Sequence, residues 1–94
     1  MRAVYVDAPG DIDALVIRDA PDPQPAPGDV LIEVAYAGCN WADTQIRSGI
    51  YPYPPDYPCV PGFEISGKVL STGEEVTGFA KGDKVVAISP LGGY

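Results

Sequence analysis

The chain has 94 residues, 46% of them hydrophobic and 20% charged, enough apolar material for one small core and too little length for a second full domain. Six basic against thirteen acidic side chains leave a net charge of −7, a field that repels phosphate backbones and anionic headgroups, so no nucleic-acid and no membrane partner is expected. No apolar run approaches the ~18–20 residues that cross a bilayer, and the start MRAVYVDAPG has no signal-peptide core. A cytoplasmic protein is expected, with Cys39 and Cys59 reduced and mostly packing.

Residues 2–7 and 14–19 are short and rich in Val, Ile and Tyr, and Ala8-Pro9-Gly10-Asp11 between them suits a turn, which predicts two strands. Pro21, Pro23, Pro25 and Pro27 then remove backbone donors and fix φ, so residues 19–29 form an extended surface connection. From Val30 to Ala37 the apolar side chains Val30, Ile32, Val34 and Tyr36 alternate with a set that includes Glu33, which predicts a strand with that apolar face buried. The pattern changes over residues 40–48: Asn40 can cap a helix, Asp43 sits near its N-terminal dipole, and Gly49 can close it in the left-handed conformation.

Residues 50–61 interleave five prolines with Tyr51, Tyr53 and Tyr57, a stiff aromatic loop able to wall a pocket. Residues 64–71 and 83–88 are further β-rich runs, with Gly73, Gly78 and Gly82 at the turns between them. The fold class expected is mainly β with one short helix.

The pattern G-x-E-x-x-G-x-V-x-x-x-G from Gly62 to Gly73 is the most specific feature of the chain. It is not a dinucleotide fingerprint, because Glu64 stands where a pyrophosphate must approach closely and adds repulsion. Its glycines read as structural, Gly67 for a bulge or close backbone contact and Gly73 for a turn.

Together with Pro27-Gly28-Asp29-Val30 and the run from Val76 to Val85, this pattern resembles the N-terminal domain of the medium-chain dehydrogenase/reductases, over essentially the whole chain. The resemblance implies a partial GroES-like β-barrel that contributes most of a substrate site, with the coenzyme held by a Rossmann domain that these residues do not include. The single unit 1–94 is expected to be a truncated form of that domain.

Zinc-dependent members carry a Cys ligand in the segment matching Gly38 to Asp43 and a His ligand before the motif glutamate. Here those positions are Asn40 and Phe63, the relay hydroxyl falls at Ala42, and the chain has no histidine, so no metal is expected. The run N-x-x-D-x-x-x-R-x-G-x-Y-P from Asn40 to Pro52 resembles the zinc-free NAD(P)H:quinone oxidoreductase branch. That branch implies hydride transfer from NADPH to a small-molecule quinone or enone, with negative charge developing on the substrate oxygen, where donors matter more than a base.

By resemblance Asn40 lies near nicotinamide and substrate, as both a catalytic and a cofactor-binding residue, and Tyr51 presents a hydroxyl at the pocket mouth. Against these stand a purely capping Asn40 and a Tyr51 packed on neighbouring prolines. Trp41 and Ile50 are candidate substrate-binding walls, with core packing as the alternative. Asp43 and Glu64 read as a capping carboxylate and a buried structural glutamate paired with Arg47 or a backbone donor, not as an acid–base pair.

Taken alone the chain is expected to be inactive and of low stability, and to dimerise or aggregate through an exposed strand edge. The rival readings are a stand-alone GroES-like interaction module and part of an enoyl-thioester reductase.

Overall fold

The computed structural model describes every residue from Met1 to Tyr94. Five strands and one helix follow in the order β1 (Arg2–Val6), β2 (Leu15–Asp19), β3 (Val30–Gly38), α1 (Trp41–Ser48), β4 (Glu64–Thr72) and β5 (Lys84–Ile88), with one 3-10 turn at Ile12–Ala14. The architecture is mainly β with a single α-helix, as the residue pattern predicts. The strands form an antiparallel pair β1-β2 and an antiparallel three-stranded sheet β3-β4-β5, without closing into a barrel.

Each junction has a local cause. Asp11 caps the 3-10 turn by accepting from the Ile12 N–H at 3.2 Å, which brings β2 back along β1 in a register from Arg2↔Asp19 to Val6↔Leu15. The proline-rich connection has no regular structure until Asp29 accepts from the Ala26 N–H at 3.0 Å and turns the chain into β3. Gly49 ends α1 with φ 79, and its N–H together with that of Ile50 satisfies carbonyls of the last turn.

The core is small. Val6, Ile46 and Cys59 form its centre, and Tyr51, Tyr57, Phe63 and Leu91 pack around them. This cluster joins β1, α1 and the loop before β4, and Val6 and Cys59 also exchange backbone hydrogen bonds at 2.9 and 3.0 Å. Cys59 is therefore a packing residue as expected, whereas Cys39 is exposed.

Two expectations are corrected. The alternation in β3 does not bury its apolar face: Val34 is 45% and Tyr36 78% exposed. Two register shifts, between Leu31 and Ile32 and between Val34 and Tyr36, interrupt the pleat, and no element covers that end of the sheet. Glu64 is exposed and lies over Gly38, while Arg47 instead reaches the Gly10 carbonyl at 2.7 Å and Asp11 at 3.7 Å. Gly73 opens a turn as expected, its carbonyl accepting from the Val76 N–H at 3.1 Å; it does so without a positive φ, and a Cβ there would overlap the Ala26 and Pro27 carbonyl oxygens.

Candidate functional site

The site predicted from the sequence surrounds the junction where β3 enters α1. Asn40 is the N-cap, with extended backbone (φ −121, ψ 156), and its own N–H donates to the Asp43 carboxylate at 2.8 Å. That is one half of a capping box. The Asn40 side-chain oxygen faces the Asp43 N–H across the other half of the box, in a looser geometry than a full hydrogen bond, and the same N–H donates to the Asn40 carbonyl at 3.1 Å. Asn40 thus caps mainly through its main chain, and the NH₂ of its exposed amide remains free to bond another group.

Asp43 does far more than cap. Only 7% exposed, it accepts from Asn40 N–H, from Gly62 N–H at 2.9 Å and from the Tyr94 hydroxyl at 2.6 Å. The carboxylate so ties the start of α1 to the entry of β4 and to the residues after β5. The Tyr94 oxygen also lies 3.1 Å from the Gly38 carbonyl, but its single proton goes to the nearer, charged acceptor. No buried side-chain polar atom is left without a partner.

Burial first, then the bond to Asp43, pushes the Tyr94 phenol far above its ordinary value of 10.0. The folded state therefore favours the protonated hydroxyl. A raised folded-state value means stability that is complete below the unfolded value near 10 and is lost as pH rises beyond it. Burial also raises Cys59 from 9.0, with the same sign, so the decline begins near that pH. Tyr94→Phe is expected to be less stable at neutral pH and to show a shallower alkaline decline; urea unfolding across pH 7–11 checks this.

The three loop tyrosines differ sharply. Tyr57 donates to the Ile46 carbonyl at 2.6 Å, and burial, aided by nearby Cys59, raises its phenol, so its hydroxyl is committed to structure. Tyr53 is exposed. Tyr51 has a half-buried ring packed on Phe63 (centroids 5.9 Å) and edge-on to Tyr53 (6.4 Å), and no protein group bonds its hydroxyl.

Phe63 precedes Glu64, and Glu64 pairs with Gly38, two residues before Asn40. Tyr51 and Asn40 therefore both attach to the same end of the three-stranded sheet, although no hydrogen bond or ring contact joins them. Trp41 and Ile50 flank these two residues in sequence and are 77% and 67% exposed, which overturns core packing as their explanation.

None of the four predicted residues lines either of the two main concavities. One of about 610 Å³ lies on the open face of β3-β4-β5 and ends at Gly38, Glu64 and Ile88, beside the Asn40 junction. Another of about 510 Å³ opens between the two sheets, with Ala3, Leu31, Val60 and Leu70 inside and Arg2 and Glu33 among its polar groups. No three His, Cys, Asp or Glu side chains converge as a metal site would require, and no helix is long and apolar enough to cross a membrane.

Sequence reasoning gave Asp43 a capping role and missed Tyr94 and the Gly62 N–H as its partners. Asp43 at the third helical position is a local signal; the other two arrive from 19 and 51 residues away and leave no local pattern.

Residues 26–93 match the alcohol dehydrogenase GroES-like domain family. The chain is 41% identical to a quinone oxidoreductase of Lama guanicoe, covering 100% of this chain and 29% of that protein. It is 40% identical to an acryloyl-coenzyme A reductase of Metallosphaera sedula, covering 94% and 26%. Among solved structures, human synaptic vesicle membrane protein VAT-1 homolog-like protein superposes with a TM-score of 0.94 at 37% identity, covering 97% of this chain and 29% of that one. The Escherichia coli quinone oxidoreductase complexed with NADPH superposes with a TM-score of 0.90 at 34% identity, covering 97% and 28%. The chain thus spans under a third of the length of these relatives. In sequence and in fold it belongs to the alcohol dehydrogenase GroES-like domain family, within the medium-chain dehydrogenase/reductases.

Proposed function

We propose that this chain is the substrate-pocket portion of a zinc-independent, cytoplasmic NADPH-dependent oxidoreductase that reduces a quinone or a similar conjugated carbonyl. The observation that carries the proposal is the exposed Asn40 amide, whose NH₂ meets no protein acceptor and whose backbone is held in place by the Asp43 carboxylate. An amide so placed can donate to a substrate oxygen as negative charge builds on it, and its cost of reorganisation is small because its backbone is already fixed.

Bound NADPH supplies the hydride. The residues present suit only its nicotinamide end, where the Asn40 amide offers a donor and an acceptor to a carboxamide. They do not suit the pyrophosphate, because the N-terminus of α1, the natural phosphate position, is occupied by the Asp43 carboxylate. Tyr51 adds a free hydroxyl on a ring fixed by Phe63, and Trp41 and Ile50 add exposed apolar surface for a flat ring.

A chimera carrying this chain in place of the matching residues of the Escherichia coli quinone oxidoreductase tests these roles. Asn40→Ala is expected to lower kcat about 100-fold, the effect of removing one donor to a developing oxyanion. Tyr51→Phe should act mainly on KM. An Asn40→Ala chimera with unchanged kcat would remove Asn40 from the chemistry.

The likeness to an acryloyl-coenzyme A reductase supports a second reading, an enoyl-thioester as the conjugated acceptor. Turnover of acryloyl-coenzyme A above that of a quinone by the same chimera would favour it.

A further inference from the structure

The three donors to the Asp43 carboxylate divide between its two oxygens. The Gly62 N–H donates to Oδ1 at 2.9 Å, while Oδ2 accepts both the Asn40 N–H at 2.8 Å and the Tyr94 hydroxyl at 2.6 Å. Two of these donors belong to the main chain, so Tyr94 supplies the one side-chain donor. Its ring has little freedom. The Tyr94 N–H bonds the Pro61 carbonyl at 3.0 Å, its carbonyl accepts from the Val4 N–H at 2.9 Å, and a Cβ on Gly62 would lie 2.8 Å from the ring carbon Cδ1. Tyr94 therefore reaches the junction of β3 and α1 from a backbone fixed on both sides, and its oxygen also lies 3.1 Å from the Gly38 carbonyl, two residues before Asn40.

We propose that Tyr94 is a positioning residue for the Asn40 amide, acting through the shared oxygen Asp43 Oδ2; the inference rests on the role given to Asn40 above. Gripped at Oδ1 alone, the carboxylate can rotate about its bond to Cβ and carry Oδ2 out of line with the Asn40 N–H. The Tyr94 hydroxyl removes that freedom. Because a hydrogen bond weakens steeply as it departs from linearity, the place of Oδ2 fixes the peptide plane that enters Asn40, and with it the direction in which the side chain leaves the backbone. Burial and the bond to Asp43 hold the phenol above its ordinary value of 10.0, so it stays a donor throughout the neutral range. The hydroxyl bonds Asp43 and not the amide, so its influence on the amide passes through the carboxylate.

A double-mutant cycle in the chimera described above tests the arrangement. Tyr94→Phe keeps the ring and loses the donor, and it is expected to lower kcat about 10-fold with KM little changed, inside the ~100-fold that a displaced group can cost. In an Asn40→Ala background the same change should lower kcat no further, because the group being positioned is gone. Replacing Tyr94 with 4-aminophenylalanine, which keeps a donor at that place, should restore kcat, whereas 4-methylphenylalanine, of similar length without a donor, should behave as Tyr94→Phe does. These two residues fill the volume of the hydroxyl, so the contrast between them decides if Tyr94→Phe fails to fold. Where Asn40→Ala lowers kcat and Tyr94→Phe does not, the positioning role is overturned and the role of Asn40 stands. A Tyr94→Phe loss that persists undiminished in the Asn40→Ala background also overturns it, since the hydroxyl would then act independently of the amide. An Asn40→Ala chimera with unchanged kcat overturns both.

Discussion

Asp43→Ala is expected to cost about 3–5 kcal/mol, the range for breaking a buried charged network by removing one partner. The substitution removes the shared acceptor of three donors: the Asn40 N–H, the Gly62 N–H and the Tyr94 hydroxyl. Gly62 is buried, so its N–H cannot turn to water, and a stranded buried donor alone costs about 1–3 kcal/mol. Small domains have roughly 5 kcal/mol or little more in total, so the variant should be largely unfolded at 25 °C. Asp43→Asn should fall between, because its oxygen keeps one donor while its NH₂ confronts another. Urea denaturation followed by circular dichroism measures both. An Asp43→Ala chain as stable as the parent would show that the three segments are held together by other contacts.

Gly67→Ala is expected to cost about 3 kcal/mol, the upper end of overpacking penalties. Gly67 lies in β4 opposite Val34, and a Cβ there would overlap the Glu33 carbonyl oxygen and crowd the Ile32 side chain. The obstacle is backbone of the paired strand, so no rotamer change relieves it, and β3 must move away from β4 near its bulge. A thermal midpoint lower by about 4–8 °C for each kcal/mol lost is the expected readout. Alanine at Gly78, where no atom lies within 4 Å, tests only its positive φ and is the milder comparison.

These two residues mark what the sequence discloses and what it does not. The strands are legible because Val, Ile and Tyr recur in short runs bounded by Pro and Gly, and α1 is legible from Asn40, Asp43 and Gly49, whose capping chemistry acts within a few residues. Gly67 is legible as a close-contact glycine inside a strand. The union of Asp43 with Tyr94 is not, because a long-range hydrogen bond imposes no spacing rule on the residues between. The exposure of Tyr36 is hidden for another reason. Alternation assigns residues to a face, but whether that face is covered depends on which elements pack over it, and none covers the end of the sheet formed by Gly38, Glu64 and Ile88.

The candidate site divides in the same way. The motif from Asn40 to Pro52 brought forward Asn40 and Tyr51, and the structure distinguishes Tyr51 from Tyr57, whose hydroxyl is spent on the Ile46 carbonyl. That distinction could not be drawn from three tyrosines in one proline-rich loop. The carboxylate that holds Asn40 in position was visible only as a cap, and its larger task of binding three segments follows from the fold.

The measurement that tests the central claim most directly is oxidation of NADPH by the chimera carrying this chain on the remainder of the Escherichia coli quinone oxidoreductase, in the presence of a zinc chelator. The account predicts quinone-dependent NADPH consumption that the chelator leaves unchanged. A folded, NADPH-binding chimera that reduces no quinone or enone, or that requires zinc to do so, would contradict it.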